Sequence, residues 1–560
     1  MTRLLSRLFA LILGSVLIAL ACTPENVPPQ AQMQSDAPRG GTLRVAWWNE
    51  PSGLFPYVAA QLPARILSHF VVEGLVAVSP DAEYQPWLAK EVPTVANGAV
   101  TVLPGGKMDV TFRLLPDVTW SDGQPFTSSD VKFTWQFIMR EPVATREGFD
   151  RIESIDTPDP STAVVHFTEV YAAYLVLFEF VLARHVLDGV ADATKTDYGR
   201  RPLGTGPFRV TEFVGGDHMT VERNVSYRQK GKPLLDRIVF RFIPSRDTAF
   251  LQLKAGELDA MWSLLESQAA ELEKSVDARL LIGPSSQVWR LEFNLAKRGA
   301  PADPRIPHPV LGDIAMRHAL TLATPKRQII DALLFGKGDP ANSILSIGWA
   351  APKDVIQEGY DPVKARDALD RAGWKAGSDG IRVKDGARAS LTVTTVAQDA
   401  VRERIEQVLA DEWKAIGVEL KIQNFPTAVL FGPGGVSYQG DFDIDMYQEA
   451  IRVDPHSRLS ERYHTRSIPR AENRLVGLNW NRFSNPEVDR LLEKAAVTLD
   501  RTERTGIYRQ LLQLVNDNFL NVWLYAQNNI DAFRSKVNGY GRSNPWMTFG
   551  WDAENWFIRP

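Results

Sequence analysis

Residues 203–262 constrain the fold of this chain more than any other part of its sequence. Two runs of strand-forming residues, 208–213 and 218–223, flank a Gly-Gly-Asp turn and predict a β-hairpin. Residues 237–243 and 258–262 predict two more strands. A helix is expected between them, because Ser245 is a favourable N-cap and Gly256 a favourable left-handed C-cap. Glycines 204 and 206, followed by Pro207, predict a tight turn that uses positive φ at glycine.

This unit lies in the middle of the chain, so we expect strands from both ends of the chain to complete its sheet. Further along, residues 390–396 and 418–422 predict strands, and residues 401–416 predict an amphipathic helix between them. Such a unit implies parallel strands with a right-handed crossover. The apolar run 171–185 predicts a helix.

Several short motifs resemble the middle signature of the family 5 extracellular solute-binding proteins. They are Gly204-Thr-Gly-Pro-Phe208, Arg223-Asn224 with Tyr227, and Gly256-Glu-Leu-Asp259. Proteins of this family are receptors of the peptide, nickel and some sugar importers of the ABC type. The resemblance implies an α/β, bilobal periplasmic-binding-protein type II fold with an extra inserted domain, similar to the cluster C arrangement.

The resemblance also implies a division of the chain into three parts. Lobe I is expected to be discontinuous and to comprise residues 39–84, 203–285 and 525–560. Residues 85–202 are expected to form an inserted domain II, and residues 286–524 to form lobe III. A chain of 560 residues is long enough for two or three such domains.

Composition and motifs exclude several functional classes. A net charge of −4 argues against a nucleic-acid surface, and 44% hydrophobic residues are ordinary for a globular protein. The sequence has no phosphate loop, no HExxH, no CxxC and no GxSxG motif, so we expect neither an enzyme nor a cofactor. No metal site is expected either, because a single cysteine excludes thiolate clusters, and His456 and His464 read best as parts of a surface loop.

The N-terminus reads as a targeting segment rather than as part of the fold. Arg3 and Arg7 precede an apolar run at 8–20, and a small-residue cleavage site ends directly before Cys22. This ending resembles a bacterial lipobox, which implies a lipid anchor at Cys22; cleavage after Ala21 without lipidation remains the alternative. Residues 23–38 predict a disordered tether. The mature protein is then expected on the extracytoplasmic, periplasmic face of the cell membrane, as a monomer.

Ligand-binding candidates come from three strand ends. The resemblance places the end of the first strand at the ligand cleft, although a turn with packed indoles explains the same residues equally well. A strand at 288–295 opens lobe III, and a later segment matches the amine-binding loop of the family. The candidates are Trp48, Asn49, Glu50, Trp289, Asn294, Tyr447, Gln448 and Arg452.

One departure from the family pattern bears on the ligand. Peptide binders of this family carry an aspartate four residues before a proline, where it holds the ammonium of the peptide, and commonly a tryptophan three residues before that aspartate. With Pro455 as the matching proline, these positions are Ile451 and Gln448. A buried ammonium without a counter-charge is costly. The neighbouring Arg452 either faces an anionic group or is simply solvated.

The sequence therefore predicts a substrate-binding lipoprotein of an ABC importer. It would capture a peptide-like solute between two lobes and hand it to the permease subunits of the transporter. An oligosaccharide is an alternative ligand, since the chain has fifteen tryptophans, and so is an anionic, opine-like conjugate. A non-transport sensor or chaperone-like lipoprotein is an alternative function, and a hydrolase on the same scaffold is a weaker one.

Overall fold

The computed structural model describes residues 37–59 and 61–559. The predicted signal peptide, Cys22 and residues 23–36 of the predicted tether lie outside the described residues. The strands are β1 (Thr42–Trp47), β2 (Val76–Val78), β3 (Tyr84–Pro86), β4 (Val100–Val102), β5 (Met108–Arg113), β6 (Ile152–Asp159), β7 (Thr162–Phe167), β8 (Phe208–Val214), β9 (His218–Arg223), β10 (Arg237–Phe242), β11 (Ala260–Met261), β12 (Ala278–Phe293), β13 (Gly338–Asp339), β14 (Lys375–Ala376), β15 (Arg382–Lys384), β16 (Ala387–Arg388), β17 (Ser390–Thr394), β18 (Glu419–Ile422), β19 (Ile444–Ala450), β20 (Asn521–Arg534), β21 (Val537–Asn538) and β22 (Phe557–Ile558).

Helices alternate with these strands along the chain, as expected for a mixed α/β protein. The α-helices are α1 (Leu62–Ser68), α2 (Ser128–Arg140), α3 (Arg184–Leu187), α4 (Arg246–Ala255), α5 (Glu266–Leu272), α6 (Ile314–Leu322), α7 (Lys326–Leu333), α8 (Pro362–Arg371), α9 (Ala400–Lys414), α10 (Thr427–Phe431), α11 (Val436–Gln439), α12 (His456–Tyr463), α13 (Pro486–Val497) and α14 (Arg501–Asp517).

The largest sheet has the strand order β18-β17-β19-β12-β20-β11-β1-β10-β9-β8, with β13 paired to β20. The predicted hairpin is strands β8 and β9, which pair antiparallel. The predicted parallel pair is β17 and β18, with α9 between them in sequence. Strand β1 and strand β20, from opposite ends of the chain, both lie in this sheet, so the prediction that both ends complete it is confirmed.

Strands β12 and β20 join the two halves of the sheet, which are β18-β17-β19 on one side and β11-β1-β10-β9-β8 on the other. They pair antiparallel from Ala278↔Arg534 to Glu292↔Asn521, while β20 also pairs with β11 at one end and β12 pairs with β19 at the other. The sequence predicts much shorter strands here, because Gly283 and Pro284 are strand breakers. The structure accommodates both residues next to a shift in register between Pro284 and Val288.

Helix α4 follows the sequence-based prediction closely. The Ser245 hydroxyl accepts a hydrogen bond from the backbone N–H of Thr248, and Gly256 ends the helix with φ 81°. The glycines at 204 and 206 are a correction, since neither has positive φ. Both instead lie against the backbone of Val71, where any β-carbon would collide with its carbonyl group. These glycines are required for close backbone approach, not for a left-handed turn.

The predicted helix at 171–185 is wrong. The segment forms one 3-10 turn at Tyr174–Val176 and the short helix α3, and Phe178 has φ 55°. Beyond the 3-10 turn, its backbone bonds to a distant segment: Leu75 N–H donates to the Phe178 carbonyl (3.1 Å), and Val181 N–H donates to the Glu73 carbonyl (3.0 Å). An apolar run buried among other elements carries no helical period, so periodicity cannot identify its structure.

A second, four-stranded sheet has the order β4-β5-β7-β6, and helix α2 packs on β6 and β7. This sheet lies within the predicted inserted domain, residues 85–202. The described chain from Arg39 onward nevertheless forms one compact unit. The three-part division with its boundaries therefore remains a prediction.

Candidate functional site

A cavity of about 400 Å³ lies where the two halves of the large sheet and the inserted segment meet. This volume is in the range of small-molecule binding sites. Its wall comes from segments far apart in sequence. They are residues 62–87 and 545–548, residues 175–179, residues 285–287 with Asn529, and residues 448–458.

The cavity meets the large sheet where β12 and β20 cross from one half of it to the other. Ser285, Ser286 and Gln287 of β12 lie on the cavity wall, within the shift in register between Pro284 and Val288. The Ser285 hydroxyl donates to the Gln527 carbonyl across this irregular stretch (2.7 Å). Such an irregularity disrupts the ladder locally and bends the strand. This stretch therefore interrupts the regular pairing that connects the two halves.

Much of the cavity wall is apolar. Trp546, from the C-terminal segment, packs with Ala82 and Val453, so that one small cluster joins both halves of the molecule beside the cavity. Trp87 and Tyr84 add aromatic surface. Ile451, at the position where the family pattern has an aspartate, is buried and also lies on the wall.

Glu179 is the central acid of the wall and is already neutralised by its neighbours. Its Oε1 accepts hydrogen bonds from Arg65 Nε (2.5 Å) and His69 Nε2 (3.1 Å). Burial alone would raise the pKa of Glu179, but Arg65 and His69 more than offset this effect and hold it below its ordinary value. Burial lowers the pKa of His69, so the imidazole is neutral at pH 7 and donates its Nε2–H.

The second wall acid, Glu73, is also paired. It is 2% exposed and accepts hydrogen bonds from Arg228 Nη2 (3.0 Å) and the Thr205 hydroxyl (2.8 Å). Its burial raises the pKa of the Glu73 carboxyl above the ordinary value. Thr205 belongs to the Gly-Thr-Gly-Pro motif, which thereby supports the cavity wall from behind.

Two further arginines lie on the wall. Arg458 forms ion pairs with Glu449 (3.3 Å) and Glu461 (2.9 Å). Arg452 is exposed to solvent, and no carboxylate of the described residues lies within 4 Å of it. Its guanidinium therefore keeps its hydrogen-bonding capacity for another partner.

A second cavity of about 320 Å³ adjoins the first. The two share Arg65, Val176, Glu179, Arg452 and Arg458 as wall residues. The far wall of the second cavity is largely aromatic, with Tyr57, Phe149, Tyr171 and Phe180. Arg452 thus lies on the boundary between the two spaces.

Of the eight residues proposed from the sequence, Gln448 and Arg452 lie on the cavity wall. Tyr447 is buried, donates to Glu292 and accepts from Arg290. Its side chain lies on the opposite face of β19 from Gln448, because successive side chains of a strand alternate between its two faces.

Trp289 and Asn294 are not wall residues of either cavity. Trp289 stacks on Tyr525 and donates its indole N–H to the Gln527 side chain (3.0 Å). Asn294 is fully buried, and its amide donates to the backbone carbonyls of Gly440 and Phe442. Trp289 thus connects β12 to β20, and Asn294 connects the end of β12 to the segment before β19.

The three residues at the end of β1 also lie outside both cavities. Trp48 stacks on Trp262, with its ring 4.1 Å from the guanidinium carbon of Arg246. Asn49 is exposed, and the Glu50 carboxylate accepts a hydrogen bond from Gly216 N–H (3.0 Å) in the β8–β9 turn. The alternative interpretation, a turn with packed indoles, describes their placement.

Sequence reasoning missed most of the polar wall. Arg65, His69 and Glu179 converge from two segments more than a hundred residues apart, and the segment that carries Glu179 has no regular structure. No local sequence pattern relates these two segments.

No cluster of three or more His, Cys, Asp or Glu residues suited to a metal ion occurs between residues 37 and 559, residue 60 aside. Within the same described part of the chain, no helix is long and apolar enough to cross a membrane.

The cavity lies between two halves of a sheet, and two continuous strands connect these halves. This arrangement is typical of two-lobed proteins that enclose a small molecule between their lobes. The chain belongs to the bacterial extracellular solute-binding proteins, family 5, whose sequence model for the middle region matches residues 83–467. Proteins of this family are extracytoplasmic receptors of ABC importers, not enzymes.

Two comparisons illustrate the relationship. The oligopeptide-binding protein AppA of Bacillus subtilis is 26% identical over 467 residues, covering 79% of each chain. The structure of that protein in complex with a nonapeptide has a TM-score of 0.72 at 24% identity and covers 94% of this chain and 100% of its own. The structure of AgaA from A. tumefaciens R10 in complex with agropinic acid has a TM-score of 0.70 at 23% identity, covering 93% and 99%. The fold is thus shared by proteins solved with quite different ligands.

Proposed function

We propose that this chain captures a peptide-like solute in the 400 Å³ cavity and delivers it to the permease of an ABC importer. The observation that carries the proposal is the construction of the cavity wall. Segments from both halves of the sheet and from the inserted region meet around one space, at the place where β12 and β20 cross. A ligand there contacts both halves at once.

Contact with both halves couples binding to closure. Two lobes joined by a few connections close around a ligand in periplasmic binding proteins, which are a standard case of hinge motion. The irregular pairing at Ser285–Gln287 is where we place the bend. A ligand that bridges the halves favours the closed arrangement by the free energy of the contacts that only this arrangement provides.

The backbone of the wall supports a peptide-like ligand. Among the described residues, the N–H groups of Arg452 and Val453 donate to no acceptor, although Ile451 N–H, directly before them, bonds to Ser286. Free backbone donors on a cavity wall suit the main chain of an extended peptide, which offers carbonyl acceptors at regular intervals. The tryptophan count gives a sugar ligand less support, because Trp87 and Trp546 are the only indoles on the described wall.

Delivery to a membrane permease requires that the receptor stay near the membrane. We therefore include in the proposal a lipid anchor at Cys22, with residues 23–38 linking it to the receptor, on the evidence of their sequence. Metabolic labelling with palmitate and sensitivity of processing to globomycin test the anchor. A mature N-terminus without lipid contradicts it and leaves the binding proposal intact.

The binding proposal is tested with a ligand panel on purified, refolded protein. Dipeptides, tripeptides, longer peptides and oligosaccharides are compared by calorimetry and tryptophan fluorescence. We expect saturable binding of at least one peptide without turnover. Ala450→Trp fills the cavity and abolishes this binding, whereas Val225→Trp, at a side chain that is 91% exposed and not part of the wall, preserves it. Binding that survives Ala450→Trp places the ligand elsewhere and contradicts the proposal.

A further inference from the structure

We infer that the solute carries an oxyanion, a carboxylate or a phosphate, which pairs with Arg452 when the cavity closes. The inference rests on the proposed function and adds the chemical class of the ligand. It follows from the charges of the wall, taken one at a time.

The acids of the first cavity are already neutralised within the protein. Glu179 is held by Arg65 and His69, and Glu73 is held by Arg228 and Thr205. A cationic ligand would have to displace one of these partners. The arrangement therefore offers no ready counter-charge to an ammonium group.

Asp454, two residues after Arg452, does not provide that counter-charge either. Both carboxylate oxygens of Asp454 accept hydrogen bonds from Arg504, at 2.7 and 2.8 Å, and the two side chains are buried. Asp454 is thus committed to a neighbouring helix, and Ile451, on the other side of Arg452, is apolar.

Arg452 is the cation left over. Arg65 and Arg458 have carboxylate partners, whereas Arg452 has none within 4 Å among the described residues. In this structure the Arg452 side chain is exposed, so water solvates its charge. Closure over a ligand removes that water, and a guanidinium buried without a counter-charge is strongly unfavourable. An anionic group on the ligand removes this cost.

The shape of the Arg452 guanidinium favours oxyanions as ligands. A guanidinium offers a planar fork of N–H donors that matches a carboxylate or a phosphate at two points. The N–H groups of Arg452 and Val453, which donate to no acceptor among the described residues, belong to the same stretch of the wall. A peptide satisfies this requirement when its C-terminal carboxylate, rather than its ammonium, lies at this end of the cavity.

One acid of the second cavity competes for the same role. Glu147 lies on the far wall and accepts a hydrogen bond from the Ser457 hydroxyl (2.5 Å), and no cation of the described residues lies within 4 Å of it. Because Glu147 is not a wall residue of the first cavity, a ligand in that cavity can contact Arg452 without contacting Glu147.

Matched pairs of ligands test the inference by calorimetry. Each peptide is compared with its C-terminal amide, and each sugar phosphate with the neutral sugar. We expect the charged member of the preferred pair to bind at least tenfold more tightly, with an affinity that falls as salt is added. The peptide and sugar arms distinguish a carboxylate from a phosphate.

Variants locate the effect. Arg452→Gln removes the charged member's advantage and leaves the affinity of the neutral member within about threefold. Arg452→Lys retains part of the advantage, and Arg509→Gln, at an exposed pair with Asp354, retains all of it. Equal losses for both members, or a wild-type protein that prefers the amide, overturn the inference while the receptor proposal stands. If Glu147→Gln markedly increases the preference for the charged ligand over the neutral one, Glu147 is the counter-charge of Arg452, and this result also overturns the inference. Absence of binding by every ligand defeats the receptor proposal itself.

Discussion

The carboxylate of Asp454 and the guanidinium of Arg504 form a two-point ion pair, with N–O distances of 2.7 and 2.8 Å. Asp454 is 7% exposed and Arg504 is 4% exposed. Arg504 also donates to the Tyr508 hydroxyl (2.8 Å), on the next turn of helix α14. The pair thus ties the loop that carries Arg452 to the long helix α14.

Breaking this pair should destabilise the protein strongly. Arg504→Met leaves the Asp454 carboxylate buried without a cation, and loss of one partner of a buried pair typically costs about 3–5 kcal/mol. The free energy of unfolding in urea measures the effect. Arg509→Met, at a pair whose side chains are more than half exposed, should change the free energy of unfolding far less, because solvent screens an exposed pair. A small and equal loss in both variants would show that Asp454 is not desolvated.

The Gly-Thr-Gly-Pro motif leads to a steric prediction. A β-carbon at Gly204 would overlap the carbonyl oxygen of Val71, which is backbone and cannot rotate away. Gly204→Ala should therefore cost about 3 kcal/mol or more, at the upper end of overpacking effects. Gly199→Ala is the matched control, because nothing lies within 4 Å of its added methyl group and its φ is not positive. Thermal unfolding that is unchanged by both substitutions would contradict the close approach.

A further prediction compares the loss of stability caused by replacing two aspartates, Asp130 and Asp122. Asp130 is 4% exposed, and its carboxylate accepts hydrogen bonds from the backbone N–H groups of Thr127 (2.8 Å) and Arg184 (3.0 Å). Asp130→Ala leaves both donors without an acceptor and should cost about 2–3 kcal/mol. Asp122 is exposed, so Asp122→Ala should cost about 1 kcal/mol or less.

Ligand affinity provides the second measurement for these variants. Neither aspartate lies on the wall of the two cavities. Both proteins, where folded, should therefore bind ligand as the parent does. A large loss of affinity from Asp122→Ala with unchanged stability would assign that residue a functional rather than a structural role.

How much of this architecture the sequence predicts depends on the range of the interactions. Helix α4 is predicted almost to the residue, because Ser245 and Gly256 act on their own neighbours. The segment around Glu179 is not, because its backbone bonds to residues 73 and 75 and its apolar side chains are buried among other elements. The same holds for the wall of the cavity. Arg452 follows from its place beside the Asp-Pro step, whereas the ion pair of Glu179 with Arg65 joins two segments that no local pattern relates.

Trp48 is the opposite case, because the sequence proposes it for the site and the structure places it away from both cavities. A strand end with two indoles and two polar residues resembles a binding site in sequence, yet Trp48 stacks on Trp262 beneath Arg246, and Glu50 accepts a hydrogen bond from the β8–β9 turn. Side-chain type alone does not distinguish an aromatic residue that binds ligand from one that packs between strands. The distinction depends on which neighbours the topology supplies.

The last prediction concerns pH. Asp531 in β20 is 5% exposed and has no cationic partner within 4 Å among the described residues; its carboxylate accepts one hydrogen bond, from Ser263 N–H (2.9 Å). Burial raises the pKa of Asp531 to about 7, against about 4 in an unfolded chain. Between these values the folded state binds more protons than the unfolded state, so the contribution of Asp531 to stability decreases as the pH rises from about 4 to 7.

Asp531→Asn keeps the shape and the acceptor and removes the titration. The variant and the parent should be about equally stable below pH 4. Above pH 7 the variant should be more stable by about 1–4 kcal/mol, because a three-unit shift corresponds to at most about 4 kcal/mol. Urea unfolding at a series of pH values measures the difference, and Asp354→Asn, at an exposed carboxylate, is the control. A difference that shrinks as the pH rises has the wrong sign for a buried carboxyl and would mean that a cation lies closer to Asp531 than the structure places one.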